Sequence, residues 1–170
     1  MRLYIARHGI AYDLGQQGIH RDEDRPLNPQ GVSRTTRAAH GFRTLGHPPT
    51  LIGSSPLVRA WQTAEIFHQE LEISAGIETC DFMAPGGTIS TAFHWINAQT
   101  HQTVMLVGHL PDVDWLTQAC LPAKQRVQRH FKKAAIACIV FESHVSVGRG
   151  RLEWFHQPRE LRALASDGAE

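Results

Sequence analysis

Residues 1–9, MRLYIARHG, form a short apolar, partly β-branched run that ends abruptly in Arg7, His8 and Gly9. The run is too short for a helical period, and it predicts a buried strand over RLYIAR. The guanidinium of Arg7 disfavours protonation of the neighbouring imidazole, so the pair is best explained by an anion that lies between them. The end of the first strand is therefore a candidate anion site.

The strand and helix signals alternate along the rest of the chain. After a long polar loop at 13–29, NPQGVSRTTRAAHGFRTLG predicts a helix with Asn28 or a nearby residue as its N-cap, TLIGSS a strand, and PLVRAWQTAEIFHQEL a second helix. TISTAFHWINAQ predicts a third helix, QTVMLVGH an apolar strand, PDVDWLTQAC a fourth helix, and the final AAIACIVFES and GRGRLEWFHQ two strands joined by a hairpin. This order predicts a three-layer α/β/α sandwich with a largely parallel central sheet.

Length and composition bound the function. The 170 residues suit a single domain over 1–170, and 17 Lys and Arg against 16 Asp and Glu give a net charge of +1, which provides no global field for nucleic acid. No apolar run approaches the roughly 18 residues of a membrane span, so we expect no membrane association. Three widely spaced cysteines indicate a reduced, cytoplasmic protein without a disulfide framework.

Three strand ends carry unusual basic residues: Arg7 and His8 after the first strand, Arg59 at the start of the second helix, and His109 after the strand at 103–107. In an open α/β sheet these ends meet at one rim, where ligands bind. Guanidinium forks match phosphate oxygens, and a neutral imidazole is a nucleophile toward phosphorus. The set therefore predicts a phosphoryl-transfer site with His8 as nucleophile and Gly9 allowing close approach of the backbone.

The segments RHG, DRPLNPQG, SSPLVRAWQTAE and VMLVGHLPDVDWL resemble, in this order, the histidine phosphatase superfamily, also called the phosphoglycerate mutase-like fold. The short chain is most similar to the bacterial SixA-type phosphohistidine phosphatases, which lack the large helical insertion of longer relatives. The resemblance implies that His8 is transiently phosphorylated, that Arg7, Arg59 and His109 bind the transferring group, and that no metal or other cofactor is required. It also implies a carboxylate acid after the second helix, for which Asp81 is the candidate.

The substrate implied by this resemblance is phosphohistidine on a protein, such as a phosphotransfer domain of a signalling relay. Two alternatives stay open: a small-molecule phosphomonoesterase of the same superfamily, in which Asp81 matters more, and a catalytically weak module that binds phosphoprotein. Lys132 and Lys133 are either ordinary strand-end charges or contacts for an acidic protein substrate.

Other interpretations of single motifs are weaker. Cys120 and Arg126 have the spacing of cysteine-dependent phosphatases, but Cys120 ends a helical pattern and Pro122 removes a backbone amide. The eleven histidines include no His-Glu-x-x-His motif, so a metal site is not expected. The acidic run at 22–24 is interpreted as a solvated loop.

Overall fold

Six strands form one sheet in the computed structural model, which describes residues 1–167. They are β1 (Arg2–Arg7), β2 (Leu51–Ser54), β3 (Ile77–Thr79), β4 (Thr103–Gly108), β5 (Ile136–Val140) and β6 (Arg151–His156). Their order across the sheet is β3-β2-β4-β1-β5-β6. Pairing is parallel among β1, β2, β3 and β4, whereas β5 is antiparallel to both β1 and β6. The sheet is thus mixed: its parallel part consists of β3, β2, β4 and β1, and β5 and β6 add antiparallel pairing beyond β1.

Five helices cover the two faces of the sheet. They are α1 (Pro29–Arg43), α2 (Val58–Glu70), α3 (Ile89–Asn97), α4 (Asp112–Cys120) and α5 (Pro158–Asp167). One buried apolar cluster includes residues of α1, α2 and α5, and the other includes residues of α3 and α4. This arrangement is the predicted three-layer sandwich, and the described helices, none longer than 15 residues, include no large insertion.

The central strand β1 shows how the sequence produces two cores. Successive side chains of a strand point to opposite faces. Leu3 and Ile5 accordingly belong to the α3 and α4 core, while Tyr4 and Ala6 belong to the opposite one. All four side chains are 0–1% exposed. Burial on both faces explains why this strand is continuously apolar rather than alternating.

Asn28 caps α1 as expected, because its side-chain oxygen accepts the backbone N–H of Gly31 at 2.7 Å. The helix α5, in contrast, was not predicted. The sequence signals for this helix are confined to its first turn. Pro158 occupies that turn, and Glu160 accepts the backbone N–H of Gln157 at 2.6 Å in the manner of a capping box. The helix α5 packs closely on α1, since a Cβ on Gly41 would overlap the backbone of α5.

The loop at 13–29 contains two short 3₁₀ turns, Gln16–Gly18 and Asp22–Asp24, and an isolated bridge between Ala11 and Leu27 holds its ends together. No helix among the described residues is long and apolar enough to cross a membrane. Cys80, Cys120 and Cys138 are all buried and unpaired.

Candidate active site

The carboxyl ends of β1, β2 and β4 bring the predicted basic residues together. Arg7 lies opposite Gly108 in the parallel register of β1 and β4, so His8 and His109 follow adjacent strands. The backbone N–H of His8 donates to the carbonyl of Gly108 at 3.0 Å, which extends this pairing by one residue. The two imidazole centroids are 5.0 Å apart. The structure therefore confirms the expected proximity of the two histidines.

The tautomer of His8 is set by its own loop. Its Nδ1 lies 2.6 Å from the carbonyl oxygen of Gly9, an atom that can only accept, so Nδ1 carries the proton. The other nitrogen, Nε2, then holds a lone pair. Burial lowers the pKa of His8 to about 2, and the neighbouring His109 and the guanidiniums of Arg59 and Arg7 act in the same direction. The imidazole is neutral at physiological pH, as a nucleophile requires.

His109 is held by Ser55. Ser55 Oγ accepts the backbone N–H of Leu57 at 3.3 Å and forms a hydrogen bond with His109 Nε2 at 2.8 Å. The other ring nitrogen of His109, Nδ1, is buried and has no protein partner. Burial, followed by the charge of Arg59, lowers the pKa of His109 to about 3. His109 is thus a neutral imidazole close to that of His8.

Arg7 and Arg59 supply the fixed positive charge of the site. Arg7 donates from Nη1 to the carbonyl of Phe131 at 2.8 Å, while its Nε is buried without a partner. Burial lowers the pKa of Arg7, but an arginine keeps its charge at neutral pH even so. Arg59 lies in the first turn of α2 and is 5% exposed. The unpartnered Nε of Arg7 is a free donor for an oxyanion.

Asp22 is a residue of the site that the sequence interpretation missed. Arg59 donates to the backbone carbonyl of Asp22 at 2.6 Å and to its Oδ2 at 2.8 Å, and Arg25 donates to Oδ1 at 2.9 Å. Burial acts to raise the pKa of Asp22, but the hydrogen bonds from Arg25 and Arg59 hold it below its usual range. The interpretation of 22–24 as a solvated run is wrong for Asp22, because a contact across 37 residues of chain leaves no local signal.

Gly9 is held at the floor of the site by α2. Its N–H donates to Thr63 Oγ1 at 2.9 Å, and the same hydroxyl donates to the carbonyl of Arg59 at 2.7 Å. A Cβ on Gly9 would lie 2.5 Å from Thr35 Oγ1 and 3.1 Å from a methyl group of Leu27. Only glycine fits this close approach.

Asp81 starts the 3₁₀ turn Asp81–Met83 after β3. This turn packs against the end of β4, because a Cβ on Gly108 would lie 2.6 Å from Met83 Cε. The side chain of Asp81 is exposed, and no hydrogen bond or ion pair of residues 1–167 joins it to the basic set. Glu78, the nearest carboxylate before it in the sequence, accepts a hydrogen bond from Trp95 Nε1 at 3.2 Å. The assignment of Asp81 as general acid stays a prediction.

Neither weaker interpretation gains support. Cys120 is fully buried, and burial raises the pKa of its thiol to about 12, so no thiolate is available for nucleophilic attack. Within the part of the chain that the structure describes, no group of three or more His, Cys, Asp or Glu could hold a metal ion.

Comparison with known proteins gives the family. The model of the histidine phosphatase superfamily (branch 1) matches residues 3–82. The chain belongs to the histidine phosphatase superfamily. The phosphohistidine phosphatase SixA of Escherichia coli is 25% identical over 166 residues, which cover 95% of this chain and 97% of the relative. An uncharacterized protein of Picosynechococcus sp. is 34% identical over 139 residues, or 80% of this chain and 82% of the relative.

Solved structures confirm the fold of this histidine phosphatase. The protein histidine phosphatase SixA complexed with tungstate matches with a TM-score of 0.83 and 25% identity, over 95% of this chain and 99% of that chain. The predicted family, its phosphoglycerate mutase-like sandwich and the enzyme class, a metal-independent histidine phosphatase, are thus confirmed. The individual catalytic roles of His8, Arg7, Arg59 and His109 remain predictions that the geometry makes specific.

Proposed function

We propose that this histidine phosphatase removes the phosphoryl group from phosphohistidine on a phosphotransfer protein of a cytoplasmic signalling relay, through a phosphorylated His8. The observation that carries the proposal is the free Nε2 lone pair of a buried, neutral His8 beside two arginines and a second buried imidazole, His109. The similarity to SixA, which is named a phosphohistidine phosphatase, supports the substrate class.

The reaction follows from these atoms in two balanced steps. The lone pair of His8 Nε2 forms a bond to phosphorus while the phosphorus–nitrogen bond of the substrate breaks, and the electron pair returns to the substrate imidazole. Water then attacks the phosphorus of phospho-His8, loses its proton to solvent, and the bonding pair returns to Nε2. Arg7, Arg59 and His109 stabilise the charge on the equatorial oxygens in both steps.

The leaving group reduces the need for a strong general acid such as the one expected at Asp81. An alkoxide needs a proton from a well-placed acid, whereas a substrate imidazole that is protonated on its other nitrogen departs as a neutral ring. A site whose only expected acid is exposed and unattached to the basic set therefore favours phosphohistidine over an alkyl phosphate. The small-molecule phosphomonoesterase remains the competing hypothesis for the test.

The test compares two substrates under identical conditions. Phosphate release is measured from a histidine-phosphorylated phosphotransfer protein and from an aryl phosphate, with EDTA present throughout. We expect rapid release from the protein, loss of at least a thousandfold in His8→Ala, and little effect of Asp81→Asn on the protein substrate. Turnover of the aryl phosphate alone, with a large loss in Asp81→Asn, contradicts the signalling role and supports the phosphomonoesterase.

A further inference from the structure

A cavity of about 350 Å³ lies beside the proposed catalytic site, between the first turns of α1 and α5. Its wall includes Ile10, two residues after His8, and Ala134, whose N–H donates to the carbonyls of Arg7 and His8 at 3.1 Å each. The volume falls in the range of roughly 300–1,000 Å³ that is typical of small-ligand sites. The cavity is therefore adjacent to the proposed nucleophile, His8.

The cavity is lined by an unusual concentration of positive charge. Its five basic residues are Arg34, Lys132, Lys133, Arg159 and Arg162. Within residues 1–167, no carboxylate lines the cavity and no ion pair joins Arg34, Lys132 or Lys133 to an acid. Burial, followed by the charge of Arg7, lowers the pKa of Lys133, and burial and neighbouring arginines do the same for Arg162. Like charges held this close favour a bound anion.

Thr35 gives a second, independent sign of a ligand. Its side chain lines the cavity and is 0% exposed, yet its Oγ1 has no hydrogen-bond partner in the protein. A buried hydroxyl without a partner costs about 1–3 kcal/mol, so native proteins rarely leave one. The same Oγ1 lies against Gly9, which follows the nucleophile. A ligand oxygen that accepts from Thr35 would therefore sit close to the phosphoryl site.

The helix α5 adds its own contribution. Pro158 and Arg159, in its first turn, line the cavity, and α5 is ten residues long. The amino end of a helix carries partial positive charge and attracts oxyanions. Its field adds to the positive charge of the basic residues around the cavity.

We propose that this cavity is a second oxyanion site, which binds a phosphate or carboxylate group of the same substrate whose phosphoryl group is transferred to His8. The inference rests on the proposed function only for the nature of that substrate. The second oxyanion has two possible sources, an acidic side chain of the phosphotransfer protein or a second phosphate on a small molecule. Either source presents the same chemistry to the cavity.

Direct binding tests the site without any assumption about the substrate. Inorganic phosphate is titrated into the full chain while NMR follows the backbone amides of Thr35 and Ala134, at the cavity, and of Gly9, at the nucleophile. We expect two saturable events, and Arg34→Gln weakens the event at the cavity about tenfold. Arg126→Gln, an exposed arginine outside the cavity, is the matched control and changes neither event. A single event shared by all three amides, or equal behaviour of the two variants, overturns the proposal.

Kinetics then identify the source of the oxyanion. KM is measured for an aryl phosphate, which has one anionic group, for a histidine-phosphorylated phosphotransfer protein, and for a small bisphosphate. We expect Arg34→Gln to raise KM for the protein or for the bisphosphate at least five times more than it raises KM for the aryl phosphate. The substrate that is affected identifies the source of the second oxyanion. Equal KM changes for all three substrates overturn the shared-substrate proposal. Failure of the proposed function is a separate result, seen as wild-type chain that does not turn over the protein.

Discussion

Replacing Asp22 by Asn tests whether this carboxylate holds Arg59 in place. Removing one partner of an ion pair costs about 3–5 kcal/mol when the pair is buried, whereas an exposed pair is worth about 0–1 kcal/mol. The side chain of Arg59 is 6% exposed and that of Asp22 is 48% exposed, so this pair lies between the limits. The backbone carbonyl of Asp22 keeps its hydrogen bond from Arg59 in the variant. We expect the free energy of unfolding to fall by about 1–2 kcal/mol at pH 7.

The effect of Asp22→Asn has a definite pH dependence. Because the hydrogen bonds from Arg25 and Arg59 outweigh burial, the pKa of Asp22 is lower in the folded chain than in the unfolded one. Its contribution is therefore complete above the unfolded value of about 3.9 and is lost as the pH falls through the folded value. The difference between wild type and variant should be constant from pH 7 to about pH 5 and shrink in stronger acid.

Urea denaturation, followed by circular dichroism over this pH range, measures both quantities. The matched control is Asp24→Asn on the same turn. Asp24 Oδ2 lies 3.8 Å from Arg21 Nε, and both side chains are mostly exposed, so this ion pair is a weak one. We expect this control to change stability by less than about 0.5 kcal/mol. If the two variants lose the same stability at pH 7, Asp22 does not hold Arg59 and the argument fails.

Three further predictions concern packing and protonation. Gly41→Ala should cost more than about 2 kcal/mol in urea denaturation because its Cβ overlaps the backbone of α5, whereas Gly76→Ala, with open space around its Cβ, should be nearly neutral; equal effects contradict the packing. NMR titration should find His8 and His109 neutral from pH 8 to pH 5, because both pKa values lie near 2–3; a midpoint near 6.5 refutes the burial argument. Ser55→Ala should lower kcat/KM about three- to tenfold, the worth of one hydrogen bond, with partial recovery in Ser55→Thr; unchanged kcat/KM removes Ser55 as a positioning residue for His109.

The parts of the site that could be predicted from sequence are those fixed by chain direction. Arg7 ends β1, His8 and His109 directly follow β1 and β4, and parallel strands bring their carboxyl ends to one edge. Arg59 lies in the first turn of the helix after β2, so its place follows from the same rule. These positions require only a correct sequence of strands and helices.

The parts that could not be predicted depend on contacts between distant segments. The 22–24 turn contains three acids in a row, and nothing local distinguishes Asp22, which reaches Arg59, from the exposed Asp24. The cavity depends on α5, which brings Arg159 and Arg162 toward Arg34 of α1. Unless that helix is predicted, these basic residues lie far apart in the sequence and do not indicate a shared binding site.

The position of β1 in the middle of the sheet determines how the enzyme loses its activity. The strand is paired on both sides, by β4 and by β5, and its four inner side chains are almost completely shielded. Arg7 and His8 stand at its end, and local fraying, which starts at edges and loops, does not reach them. In rising denaturant, phosphate release should persist until the whole sheet unfolds. Enzymatic activity and the folded structure should then be lost in one cooperative transition.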